Sequence, residues 1–369
     1  MKKRRIVLAS ILKPVDDTRM LEKIGRTLSN VNDYEIFVIG YPSPGTAGAH
    51  QNITQLPLKS FERISPGRLI APWVVMKLIH KVKPELLIVN THELLIVSIL
   101  NRIFFGTRII YDIRENYWRN IVHTKAFAAP FRLILAAWVR LKEKLTAPFF
   151  HGFFLAEKAY GKELSFLRNR HVILENKMVV PAGFQRSVNQ GKIRLLFSGT
   201  LAESTGIFQA IDLAKKLHQV DSKIELKIIG FCALASTLSE IKKKITGLSF
   251  IALVGGDRLV PHSEIVEAIG ASDFGIICYP PSYHIENRIP TKLYEYMACR
   301  LPIILQKQES WVEICKPYQA ALDIDFRNIQ PTELLAMMTS TRFYSSDPAN
   351  VTWNSEEPRL LKKVSDILA

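Results

Sequence analysis

Short apolar runs that end in polar tips alternate with stretches of helical periodicity along this chain, and the series begins twice. The first series opens at residues 4–12 (RRIVLASIL) and the second at 193–197 (IRLLF). Between them, residues 177–191 (KMVVPAGFQRSVNQG) have the Pro, Gly and polar content of a linker. Near-continuous apolar runs mark strands buried on both faces, as in parallel sheets covered by helices. Strands alternating with helices predict doubly wound α/β domains and exclude a sandwich or a helical bundle. At 369 residues the chain exceeds one core of usual size, so two domains are expected. The pattern places them at 1–178 and 179–354, with an amphipathic helix in 355–369 closing the chain.

In open α/β sheets, ligands sit at the carboxyl ends of the strands, so the polar tips are the first places to look. After the first strand comes KPVDDTR (13–19), leading into a helix at 18–28. Asp16, Asp17 and Thr18 suit either a ligand loop or a helix cap. Strand 86–89 leads to Asn90, Thr91, His92 and Glu93, and strand 107–112 leads to Arg114, Glu115, Asn116 and Tyr117. Arg19, His92, Asp112 and Arg114 are the candidates for one rim of a binding cleft; His92 reads equally as a solvated capping residue.

Charge is unevenly divided. The net formal charge is +15, and residues 1–180 hold 28 Lys and Arg against 14 Asp and Glu. Such an excess attracts an anionic membrane surface, a phosphate-bearing acceptor or a nucleic acid. No zinc-finger spacing, RNP-like aromatic run or basic zipper accompanies it, so no nucleic-acid partner is expected. Residues 127–149 form a long apolar face interrupted by Arg132, Arg140, Lys142 and Lys144, which cannot span a bilayer cheaply. This segment reads either as an interfacial amphipathic helix or as a core helix with a solvated basic side. The start, MKKRR and a short apolar run bounded by Lys13-Pro14, reads as a first strand rather than a signal peptide. The four cysteines form no CxxC and no zinc spacing, so reduced thiols and no metal site are expected.

The most specific stretch is ENRIPTKLYEYMACRLPIILQ, residues 286–306. Pro290 suits the first turn of a helix over 291–299, and Ile303-Ile304-Leu305 a buried strand. Lys292 and Glu295 lie three apart and share a helical face. A cation and a carboxylate beside a helix N-terminus suit a ligand with an anionic group and hydroxyls, such as a nucleotide sugar. The same pair reads alternatively as a surface ion pair.

The pattern P-x-K-[LF]-[YF]-E-Y-M-A followed by x-x-L-P-I-I resembles the donor-site helix of family 4 glycosyltransferases, which have the GT-B fold of two Rossmann domains facing across a cleft. The resemblance implies that Glu295 holds the ribose hydroxyls of a nucleotide diphosphate sugar. Residues 198–206 (SGTLAESTG) resemble the loop that opens the family's donor domain. Gly199, Thr200 and Gly206 would then border the diphosphate. Three departures stand out. The Arg and Lys that clamp the diphosphate in many members are missing from this loop, and Lys292 is the nearest replacement. The family's E-x7-E pair places Asn287 where the first Glu belongs, with Glu286 one residue further, and either can serve. Arg114 stands where relatives often show His in a D-x-H-E form.

The implied activity is retaining transfer of a sugar to a lipid-linked or saccharide acceptor in cell-surface polysaccharide biosynthesis. Glu286 and Lys292 would be the catalytic residues. No cofactor is implied beyond the nucleotide sugar co-substrate, and no DxD motif suited to a nucleotide-bound metal stands out. The implied location is cytoplasmic, peripheral on the inner face of the membrane. A sugar-nucleotide epimerase of GT-B fold and a non-catalytic GT-B-like subunit of a polysaccharide complex are the alternatives.

Overall fold

The structure is a computed structural model and describes residues 3–43, 52–61, 65–123, 129–187, 191–281 and 288–369. The chain forms two compact units, Met1–Asn176 together with Glu356–Ala369, and Lys177–Ser355.

In the first unit the strands are β1 (Arg4–Pro14), β2 (Tyr34–Tyr41), β3 (Ile53–Pro57), β4 (Leu86–Val89), β5 (Arg108–Ile113), β6 (Gly152–Leu155) and β7 (His171–Ile173). They form one parallel sheet in the order β3-β2-β1-β4-β5-β6-β7. The helices are α1 (Arg26–Ser29), α2 (Gly67–Val82), α3 (Leu95–Phe105), α4 (Tyr117–His123), α5 (Ala129–Thr146) and α6 (Ala159–Glu163). Ile6, Val7, Leu8 and Ala9 of β1 are all buried, as helices on both faces require. The C-terminal helix Glu357–Leu368 packs in this unit. Lys363 and Ile367 come against Gly152 of β6, and Thr27 Oγ1 donates to Glu357 at 2.9 Å.

One element differs from its expected form. The helix over 18–28 begins as a π-helical segment, Thr18–Gly25, before tightening into α1. Asp17 caps it by accepting from the N–H groups of Arg19 and Met20. Its Arg19 and Lys23 are buried rather than solvated, because each has a fixed partner inside: Asp112 for Arg19, and the backbone and side-chain oxygens of Asn176 for Lys23.

The second unit repeats the layout with β8 (Ile193–Thr200), β9 (Ile224–Phe231), β10 (Ile251–Gly256), β11 (Phe274–Ile277), β12 (Ile303–Gln306) and β13 (Ala321–Ile324). Its order, β10-β9-β8-β11-β12-β13, is parallel throughout. The helices are α7 (Ile207–Val220), α8 (Ala235–Ile245), α9 (His262–Gly270), α10 (Thr291–Ala298), α11 (Glu309–Cys315) and α12 (Pro331–Ser340). Successive residues of β8 serve opposite layers. Leu195 and Phe197 join a cluster with α7 and α8, whereas Leu196 joins one with α9, α10 and α11.

The stretch 177–191 has the composition of a free linker, but most of it is anchored within the second unit. Met178 pairs with Thr352, and the Arg186 guanidinium donates to the carbonyls of Arg300 and Ser272, both at 2.8 Å. Ser187 N–H reaches Gly270 O at 2.9 Å.

Candidate functional site

Strand order reverses where β8 meets β11 in the second unit, which opens a crevice at the carboxyl ends of those strands. The β8 tip carries Ser198, Gly199 and Thr200, and the β11 end runs into Cys278 and Tyr279. Gly206, just before α7, has φ +85, and a β-carbon there would lie 2.0 Å from Cys278 O. Only glycine lets the α7 N-terminus approach the β11 end so closely. Cys278 Sγ donates to Gly206 O at 3.0 Å, and burial pushes its thiol up to about 12, so it stays protonated. Thr205 Oγ1 ties the loop by donating to Thr200 O at 2.8 Å.

Helix α10 is seated on the same tip. Tyr296 OH lies 2.8 Å from Ser198 Oγ and accepts from Ser198 N–H at 3.2 Å. Gly275 on β11 makes room for that ring, since a β-carbon would fall 2.4 Å from it. Pro290 occupies the N-cap in an extended conformation rather than the first turn, and the helix begins at Thr291. The reason is local: a ψ of 134° sets the chain direction before winding starts.

This seating buries Lys292. Its ammonium stands 4.1 Å from the centroid of the Phe197 ring and 5.3 Å from that of Tyr279. Its Cε approaches Gly199, lying 3.9 Å from where a β-carbon would be. Among the described residues Nζ has no hydrogen-bond partner. Burial pushes its pKa down to about 8, opposed by the negative charge of Glu295. The ring faces compensate only in part, and the α10 N-terminus is itself a positive dipole end. A buried cation left without a hydrogen-bond partner is a costly arrangement in a folded chain.

One turn on, Glu295 Oε1 lies 3.2 Å from His262 Nε2, and the Glu295 side chain is 15% exposed. His262 begins α9 and was not singled out from the sequence. Its only signal there is its place in the polar loop after β10. Gly199, Thr200, Gly206, Lys292 and Glu295 are thus gathered around one strand crossover. Glu286 and Asn287 lie outside the described residues. Among the described residues no three His, Cys, Asp or Glu side chains are grouped so as to hold a metal ion.

The first unit has its own reversal, between β1 and β4. Arg19 and Asp112 are buried there in a bidentate pair, Nε to Oδ2 at 2.9 Å and a terminal nitrogen to Oδ1 at 2.7 Å. Arg19 also donates to Leu174 O at 2.8 Å. Arg114 extends the network to Asp17, donating to Oδ2 at 3.1 Å, and lies 3.5 Å from Asp112. Arg114 holds the Asp17 carboxyl below its ordinary value despite burial. Arg19, Asp112 and most of Arg114 are therefore spent on tying the π-helical segment to β5.

His92 stands apart from that network. Burial pushes its pKa down to about 4, so the ring is neutral near pH 7. Its Nδ1 lies 2.9 Å from Lys142 Nζ, which can only donate, so Nδ1 accepts and Nε2 carries the proton. Beside it the side-chain oxygens of Asn90 and Thr91 are buried without a hydrogen-bond partner among the described residues. These orphaned acceptors could take hydroxyl donors.

Two Rossmann-like parallel sheets, of seven and six strands, define a protein of the GT-B fold. The sequence model of the family described as "Glycosyl transferases group 1" matches residues 183–334, which lie in the second unit. Among solved structures, sucrose-phosphate synthase from Thermosynechococcus elongatus is similar with TM-score 0.70 and 12% identity, over 99% of each chain. HepE from Anabaena in complex with UDP-glucose has TM-score 0.66 and 13% identity, over 98% of this chain and 99% of that one. The catalytic domain of starch synthase IV from Arabidopsis thaliana, bound to ADP and acarbose, has TM-score 0.63 and 9% identity, with both chains covered in full. At these identities the likeness is one of fold. No curated protein sequence matches the chain.

Proposed function

We propose that this chain is a retaining glycosyltransferase that moves a sugar from a nucleoside diphosphate sugar to a lipid-linked or saccharide acceptor. The observation that carries the reading is Lys292, a buried ammonium at the crossover beside Gly199 that has no hydrogen-bond partner among the described residues. The group 1 family match over 183–334 supports it, as does the binding of UDP-glucose and ADP by proteins of the same fold. The diphosphate would lie between Lys292 and the α7 N-terminus, with Glu295 on the ribose hydroxyls.

In this reaction the bond from the anomeric carbon to the leaving phosphate oxygen breaks, and the acceptor oxygen bonds to that carbon on the same face. The acceptor proton passes to the leaving phosphate. Negative charge grows on the phosphate as the bond breaks, and Lys292 and the α7 N–H groups meet it there. His262 would set the Glu295 carboxylate for the ribose. The enzyme would act in the cytoplasm at the inner face of the cell membrane, in polysaccharide assembly.

Calorimetric titration with UDP, ADP and GDP tests the donor site. Glu295→Ala should weaken the nucleotide that binds by about 1.5–3 kcal/mol, the scale of a hydrogen bond to a charged group. His262→Ala should give a smaller loss of the same kind. Unchanged affinity in Glu295→Ala removes that residue from the site. Product analysis with and without acceptor separates transfer from epimerisation.

A further inference from the structure

One side of the first unit, built from α2, α3 and α5, is apolar towards solvent. Trp73 on α2, Ile103 and Phe104 on α3, and Ile134, Trp138 and Leu145 on α5 are each more than half exposed. Helix α3 packs against both α2 and α5, so these side chains belong to one continuous face. Ile134, Trp138 and Leu145 follow the helical repeat, and the buried Ala136, Val139 and Glu143 point the other way. A soluble monomer seldom leaves an apolar face of this extent uncovered.

Charge indicates what covers it. Helices α2 and α3 contain no carboxylate, and the one on α5, Glu143, is only 3% exposed. Lys77, Lys81 and Lys144 on the same helices are exposed. Lys144 also lines an open cavity of about 260 Å³ with Arg168 and Arg170. A face offering apolar and cationic groups without acidic ones does not suit a second copy of the chain, since a twofold contact would set like charges together. It suits an anionic lipid surface, where lysines meet phosphates and tryptophans sit at headgroup depth. Among the described residues no helix is long and apolar enough to cross a membrane, so the face would lie on the bilayer.

We propose that the α2–α3–α5 face docks the protein on an anionic bilayer, with Trp73, Phe104 and Trp138 entering the headgroup region and the Lys144–Arg168–Arg170 cavity taking a lipid phosphate. The inference deepens the reading above, on which it rests for the lipid-linked acceptor. It also widens the membrane-facing part from the basic segment around α5, seen in the sequence, to three helices.

Cosedimentation with vesicles tests it without any sugar transfer. The full-length protein should bind vesicles of equal phosphatidylcholine and phosphatidylglycerol about tenfold or more above pure phosphatidylcholine, and raised salt should reduce that binding. Ile134→Glu/Trp138→Glu and Lys77→Glu/Lys81→Glu should each lose about tenfold or more of the anionic-vesicle binding. Unchanged nucleotide titration shows that both variants are folded and keeps this test separate from that of the donor site. The proposal is overturned by equal binding to both vesicle types or by undiminished binding of both variants. It is also overturned by a solution dimer that Ile134→Glu/Trp138→Glu dissociates, which would give the face to a second copy.

Discussion

Replacing Lys292 with methionine should slow sugar transfer by about 100-fold or more, the loss typical of removing one group that stabilises transition-state charge. The same change should make the ligand-free protein more stable. A methionine fills most of the space, and the desolvated ammonium disappears. Its pKa is pushed from 10.5 down to about 8, a difference of roughly 3 kcal/mol between charged and neutral forms. Both effects follow from one arrangement, a buried ammonium without a hydrogen-bond partner among the described residues, beside the proposed diphosphate site.

The pH dependence has a definite sign. In the unfolded chain Lys292 holds its proton to the ordinary value, while in the fold it releases it near 8. Between those values the unfolded state binds more protons, so this residue's destabilising contribution is full below about 8 and fades as pH rises towards 10.5. Nucleoside diphosphate affinity should move the opposite way and fall as pH rises above about 8, because the neutral amine no longer attracts phosphate. Titrations of UDP, ADP and GDP at neutral and alkaline pH, beside thermal unfolding of both proteins, measure each part. Retained turnover together with an unchanged melting temperature would make Lys292 an ordinary lysine.

The sequence made the strands legible because burial on both faces leaves continuous apolar runs, as in 193–197 and 303–305. That Gly199, Gly206 and Lys292 come near one another follows a similar rule, since strand tips in a parallel sheet converge at the point where strand order reverses. What decides the state of each side chain was not legible. Ser198 and Tyr296 are 98 residues apart, and only the pairing of β8 with β11 brings their hydroxyls to 2.8 Å. His262 meets Glu295 across a shorter gap of 33 residues. Residue type alone could not tell that Arg19 and Asp112 face inward to each other while His92 faces Lys142. The π-helical winding of Thr18–Gly25 has no signature in an apolar period of 3.6.

Alanine at Gly206 should abolish nucleotide binding, whereas alanine at Gly199 should only weaken the protein. Both glycines have positive φ, +85 and +95, so each substitution bears the strain of a left-handed conformation, on the order of 1–2 kcal/mol. The surroundings differ. At Gly199 the nearest atom to an added β-carbon is Lys292 Cε at 3.9 Å, an ordinary contact with a flexible side chain. At Gly206 the β-carbon would fall 2.0 Å from Cys278 O and 2.6 Å from Cys278 C. Those are backbone atoms at the end of β11, and no rotamer change relieves the overlap. The loop would have to lift away, taking with it the first turn of α7 and the N–H groups proposed to hold the diphosphate. Thermal unfolding and nucleotide titration of the two variants side by side measure the difference. If Gly206→Ala keeps both the melting temperature and the affinity of the wild type, the approach of α7 to β11 is not what builds the phosphate site.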